Sequence, residues 1–378
     1  MSRVITVRGR GRRAAAAAVG AGVLALAGVT GTAAIAGAAP INGARPAAAP
    51  KWHIIKSVKT DFSGQFTAVV ATGKSTGWAF DGNGESGVKA TAWRENDTTW
   101  TKVAFPSVTN EEVVAAGADS PNDVWAFTQN FSGASRVLRW NGSRWSPVKS
   151  FSAPIGNATV LSSHAVWVYG WPPVTGTPTL GVWFYNGKTW THVSKTIAGG
   201  SALSNKNVWG YTATSVEHWN GAKWTATSVK KLLPATDPHG LNNPSVAGIV
   251  ALSASNVYAL GSGDTQDEGG PLVVLHFNGR GWTKVASGQF GAGPGPQVSS
   301  DGAGGLWLPM DGPVGGTSFL VHYAAGKLTK ATLPVSAPQI TIGAVGRIPG
   351  TAAQLAGGFT HKAGDRGTGV VAVLLRYG

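Results

Sequence analysis

The stretch Arg139-Trp140-Asn141-Gly142-Ser143-Arg144-Trp145 sets two tryptophans five residues apart around an Asn-Gly, and the chain repeats the device. It returns as Trp183-Phe184-Tyr185-Asn186-Gly187-Lys188-Thr189-Trp190, as His218-Trp219-Asn220-Gly221-Ala222-Lys223-Trp224 and as His276-Phe277-Asn278-Gly279-Arg280-Gly281-Trp282. Aromatic and branched residues on both sides of Asn-Gly predict a β-hairpin whose two central residues both take positive φ. The recurrence makes this a repeat protein, which limits the fold more than any single segment does.

Upstream of each hairpin an apolar stretch carries an anchor: Trp78, Trp125, Trp167, Trp209, Tyr258, Trp307 and, degraded, Leu355. The anchors recur every 42 to 49 residues, the period of a four-stranded propeller blade. In the second unit the strands are expected at 113–117, 124–127, 136–141 and 144–148. The seventh unit stops at Gly378, where the others continue into an outer strand with Trp. The missing piece stands at the other end, where Lys51-Trp52-His53-Ile54-Ile55 matches Lys223-Trp224-Thr225. The expectation is an all-β, seven-bladed β-propeller over residues 51–378. The N-terminal strand would complete the last blade and leave no open edge at the seam. With no cysteine in the chain, that fold must rest on buried apolar surface alone.

Residues 1–13 hold five arginines and no acid, and an apolar run of small residues follows to Ala36-Gly37-Ala38. This reads as a secretory signal over 1–38 followed by an Ala/Pro leader over 39–50. The run is also long enough to span a bilayer, so a retained anchor stays open. Loss of the five arginines lowers the formal charge from +14 to +9. The exported part, without a transmembrane segment, is then a basic protein, expected to be secreted or wall-associated and monomeric.

Ser120-Pro121-Asn122-Asp123-Val124-Trp125-Ala126 and His218-Trp219-Asn220-Gly221-Ala222-Lys223-Trp224 resemble the units of secreted β-propeller proteins of high-GC Gram-positive bacteria, in the broad kelch and galactose-oxidase-like group. The resemblance covers about Lys51 to Gly378 and departs most in the last two units, with Ala325-Gly326 for Asn-Gly and Leu328 and Leu355 for Trp. It implies export and a scaffold that binds a ligand or partner; it implies no shared reaction.

Most tryptophans fall at repeat positions: 78, 125, 167, 209 and 307 on second strands, 93, 140 and 219 before turns, 52, 100, 145, 190, 224 and 282 on outer strands. Periodic aromatics of this kind pack blade against blade. Trp171, in Gly170-Trp171-Pro172-Pro173, has no counterpart elsewhere and suits stacking on a ligand or packing at a loop tip. Recognisable catalytic chemistry is absent. A copper-radical oxidase needs a Cys–Tyr crosslink, no turn is an Asp-box, and no Gly-x-Ser-x-Gly elbow or phosphate loop occurs. His218, His276 and His322 share one strand position and read as repeat residues. The chain is therefore expected to be a non-catalytic binder of a glycan, cell-wall component or protein. A hydrolase or lyase working through loop Asp and His residues is the alternative.

Loops between second and third strands and the connections between blades share one face, where propellers usually bind. That face collects most of the acids, among them Asp81, Glu111, Glu112, Asp237, Asp264, Asp267, Glu268, Asp311 and Asp365, with His239 and His361. An oxygen-only rim suits solubility, a basic partner or Ca²⁺. The opposite face repeats one basic residue at the start of the outer strand: Lys51, Arg144, Lys188, Lys223, Arg280 and Lys327. These either guard strand edges or form a ring for a polyanion, without reading nucleic-acid sequence.

Overall fold

The computed structural model describes residues 49–59, 64–82, 87–130, 132–171, 179–235, 244–263, 271–290, 293–295, 297–311, 318–334, 340–360 and 370–378. The expected signal at 1–38 and nearly all of the leader lie outside them. From Ala49 onward the chain forms one unit of seven antiparallel sheets, each four strands deep. Blade 2 is typical, with strands Glu111–Ser120, Asp123–Asn130, Ser135–Trp140 and Trp145–Phe151 from the inside out. In blade 7, Ile340–Arg347, Gln354–Thr360 and Val371–Tyr377 are followed by Trp52–Lys59 as the outer strand, with Trp52 opposite Tyr377. The Gly378 N–H also reaches the Lys51 carbonyl at 3.4 Å.

The core is divided among the blade interfaces, one apolar cluster to each. Trp78 of blade 1 meets Trp140 and Trp145 of blade 2 at 4.9 and 5.1 Å. Trp125 meets Tyr185, and Trp209 meets Phe277 and Trp282, in the same way at later interfaces. Between blades 6 and 7, Trp307 lies against Trp52 and Tyr377 at 5.3 and 5.0 Å. Leu355 of blade 7 packs with Trp93 and Trp100 of blade 1. Each anchor thus fills the space under the next blade's outer hairpin, which is why an aromatic recurs at both places.

The anchor's neighbour on the third strand is also a repeat position. The pairs are Trp78–Arg94, Trp125–Arg139, Trp167–Phe184, Trp209–His218, Tyr258–His276, Trp307–His322 and Leu355–Arg376. A flat group lies against the anchor ring: His322 stacks on Trp307 at 4.1 Å and 11°, and the Arg139 guanidinium is 5.0 Å from Trp125. In blades 2, 4 and 5 the residue two before the anchor holds that group's polar edge. Asp123 accepts from Arg139 Nε at 2.6 Å, and Asn207 and Asn256 bond His218 and His276. The three histidines are repeat residues, as their spacing implies.

The turn chemistry differs from the sequence expectation. Gly142, Gly187, Gly221 and Gly279 have φ between 90° and 96°, but the asparagines before them do not have positive φ. The loops are four residues long, with Trp140 opposite Trp145. Asn141 Oδ1 accepts from the Ser143 and Arg144 N–H groups at 3.0 Å, and the other three asparagines act alike. Asn is there as a side-chain acceptor that closes the loop, not as a left-handed residue. The two-residue turn with both φ positive occurs where Asn is missing, at Ala325 (48°) and Gly326 (77°).

Candidate functional site

The innermost strands surround a central channel. In six blades the strand slips register near its start, leaving Thr67, Val114, Gly156, Gly199, Ala247 and Gly343 without an opposite residue, and in five of them it slips again beside the turn. A bulge frees a backbone group from the ladder. Here several freed carbonyls are used within the channel wall, as when Tyr211 Oη donates to Ala247 O at 3.1 Å. Gly199 and Gly200 lie directly against the Tyr211 and Tyr169 rings, where any Cβ would collide. Burial pushes both phenols well above their ordinary pKa. They are wall, not acid–base groups.

Blade 6 breaks this pattern. Its inner strand is split into Gly293–Pro294 and Ser299–Ser300, as its run of Gly and Pro requires. The excursion carries Gln297 across the channel, where Nε2 donates to Thr67 O at 2.8 Å and Val114 O at 2.9 Å. One carboxamide therefore joins blades 1, 2 and 6. What remains of the channel is a cavity of about 380 Å³ whose lining includes Asn157, Thr159, Trp171, Ser201, Gln297 and Arg347. Asn157 is committed to Gly200, donating to its carbonyl at 2.9 Å and accepting from its N–H at 3.2 Å.

Trp171 stands at the loop-face end of this cavity. All sixteen tryptophans are described, and only its ring is exposed, at 41%. Its indole Nε1 is 3.4 Å from Gln129 Oε1, and Gln129 Nε2 donates to Glu112 Oε1 at 2.8 Å. Blade 2 therefore fixes the edge of a ring that blade 3 carries and leaves its face open.

The acidic rim is not a free set of carboxylates where it is described. Glu111 is buried, with Arg136 Nε at 2.7 Å and Nη2 at 2.5 Å, Thr128 Oγ1 at 2.6 Å and the Val108 N–H at 3.0 Å. Glu112 is taken by Gln129. Sequence position placed both at a loop mouth; the strand in fact begins at Glu111 and turns them into the structure. Among the described residues no three His, Cys, Asp or Glu side chains converge. Asp237, His239, Asp264, Asp267, Glu268, His361 and Asp365 lie outside the described residues, and Asp311 ends the second strand of blade 6.

Asp81 is largely buried at the end of a strand. Burial raises its carboxyl from 3.8 to about 6, against the pull of Lys102 and a backbone bond from Gln65. An acid whose folded pKa is raised binds its proton more tightly in the fold. Its contribution is whole below pH 4 and is lost as pH rises from about 4 to about 6, by about 2–3 kcal/mol. Asp81→Asn is expected to match the parent near pH 4 and to exceed it at pH 7 in urea unfolding. An equal difference at both pH values would contradict this.

On the opposite face Lys51, Arg144, Lys188, Lys223, Arg280 and Lys327 are all exposed. None of the six has an acidic partner among the described residues. Gln297, Gln129 and Arg136 were not singled out in the sequence. Only the Gly/Pro run before Gln297 hints at a broken strand.

No protein-family model matches the chain, and no curated protein does. Solved structures match at the level of fold. YCF48 from Cyanidioschyzon merolae aligns with a TM-score of 0.56 and 12% identity, over 86% of this chain and 98% of its own. YCF48 bound to D1 peptide gives 0.53 and 11%, over 86% and 96%. A chain of a mitotic checkpoint complex gives 0.55 and 9%, over 92% and 98%. At such identities the likeness shows the propeller fold alone.

Proposed function

We propose that this propeller is an exported, non-catalytic binding scaffold that seats a glycan at the loop-face mouth of its central channel. The observation that carries the reading is the open face of Trp171, set among fifteen tryptophans spent on packing. A flat apolar face beside amide and carboxylate groups suits the apolar side of a sugar ring, with hydroxyls reaching Gln129 and Glu112. Support for a non-catalytic role comes from Glu95, Glu111 and Asp123, which are held by arginines, and from His218, His276 and His322, which are held in the repeat stacking. Export rests on the basic and apolar N-terminal sequence. A peptide is the second reading, favoured by the D1 peptide on a YCF48 propeller of the same fold.

A glycan and cell-wall binding screen of the parent and Trp171→Ala tests this. Loss of a central aromatic contact is expected to weaken binding roughly 30-fold, about 2 kcal/mol, with the melting temperature unchanged. Equal binding by the variant removes the site from the loop face, and binding of peptides alone selects the second reading.

A further inference from the structure

We propose that the turn face, opposite the Trp171 site, is a docking surface for a flexible phosphodiester polymer that carries no bases. It is independent of the reading of the loop face. In an antiparallel blade the first and third turns lie at one end, so the turns of all blades share one face. Exposed cations stand on it at Lys51, Arg144, Lys188, Lys223, Arg280 and Lys327, and Lys74 and Lys206 add two more on the inner turns.

The acids near the same face are withdrawn. Glu95 is paired with Arg376 at 2.5 Å, Asp123 with Arg139 and Asp301 with His322, all three buried, and Glu217 is buried too. Among the described residues Asp97 and Asp119 are the exposed acids of these turns. The cations therefore act on solvent without internal neutralisation.

Edge protection accounts at most for Lys327, the first residue of its own outer strand. An edge strand needs charges along its own unpaired backbone. Arg144, Lys188, Lys223 and Arg280 precede their outer strands, which begin at Trp145, Trp190, Trp224 and Trp282. The edges of several blades have separate lysines inside the strand, Lys102, Lys149, Lys284 and Lys330 among them. The face charges are additional.

The chemistry of the partner follows from what the face lacks. Among the described residues the exposed large apolar ones are Val108, Val148 and Trp171, none of them on a turn of this face. Nothing there inserts into lipid or stacks on a base. Lysine predominates, a point charge suited to phosphate without planar, bidentate reading. The charges stand around a circumference, one on the outer turn of each of blades 2 to 7, so a stiff duplex touches only a few. A flexible chain such as poly(glycerol phosphate) can follow the ring and meet several at once.

The test titrates the full chain with poly(glycerol phosphate) of about thirty units at 50 and 200 mM salt. Six contacts on a single-chain polyanion predict a slope near −4 and a roughly 300-fold loss across that range. The variant Arg144→Gln, Lys188→Gln, Lys223→Gln, Arg280→Gln, Lys327→Gln is expected to lose at least about 30-fold at 50 mM, with a slope near −1. The variant Lys102→Gln, Lys284→Gln, which removes charge from strand edges, is expected to bind nearly as the parent does. Undiminished binding by the five-residue variant overturns the proposal, as does an equal loss per charge in the edge variant. Tighter binding to anionic lipid vesicles or to single-stranded DNA than to the polymer overturns the choice of partner.

Discussion

Deleting residues 51–59 is expected to abolish the cooperative unfolding transition of the ring, and Trp52→Ala alone to cost about 3–5 kcal/mol. Trp52 is 4% exposed and lies edge-on to Trp307 at 5.3 Å and tilted against Tyr377 at 5.4 Å. It is the outer-strand tryptophan of blade 7 and comes from the far end of the sequence. Without its strand, blade 7 exposes the backbone of Val371–Tyr377, and the interface of blades 6 and 7 loses an aromatic wall. Stability in a ring is shared between neighbours, so a gap in one interface weakens both flanking blades. Calorimetry of the deletion giving the parent's melting temperature and enthalpy would show that the strand is dispensable. A cost under 1 kcal/mol for Trp52→Ala would contradict the packing argument.

Arg136→Ala is expected to destabilise the protein by about 3–5 kcal/mol, because a buried carboxylate is left without its counter-charge. Glu111 has a side chain only 3% exposed and keeps two further donors, Thr128 Oγ1 and the Val108 N–H, neither of which is charged. Arg136 also donates to Pro106 O at 2.8 Å, so the same change frees the connection between blades 1 and 2. The double variant Arg136→Met, Glu111→Leu removes both charges and is expected to recover most of the loss. A double variant no more stable than Arg136→Ala would show that the cost lies in the lost connection and not in the stranded charge.

The blades were legible because packing repeats: six of the seven interfaces take an aromatic from the second strand, so Trp78 to Trp307 recur at readable spacing, and only Leu355 departs. The matching Lys51-Trp52 and Lys223-Trp224 stretches show the same rule acting across the whole length of the chain. Turn geometry was less legible. All four Asn-Gly pairs form one four-residue loop closed by the Asn side chain, whereas the two-residue turn falls at Ala325-Gly326, a difference the shared glycine does not reveal. The site was least legible. Glu111 and Asp81 look like rim acids in sequence, and only their distance to Arg136 or their burial reveals otherwise. Gln297 meets Thr67 and Val114 across separations of 230 and 183 residues, and local pattern holds no trace of such a contact.

The outer strand of blade 7 has a consequence for how the molecule comes to be folded. Trp52–Lys59 is among the first described segments to be synthesised, and its partner Val371–Tyr377 is the last. Until Val371–Tyr377 exists, the strand of Trp52 has no backbone partner, and blades 1 to 6 are an open arc with one unsatisfied interface at each end. Contacts so distant in sequence are slow to form and come late. A nascent or shortened chain therefore exposes an apolar strand and two blade flanks throughout its life, which makes it a substrate for chaperones and proteases. Closure of the ring waits for the third strand of blade 7.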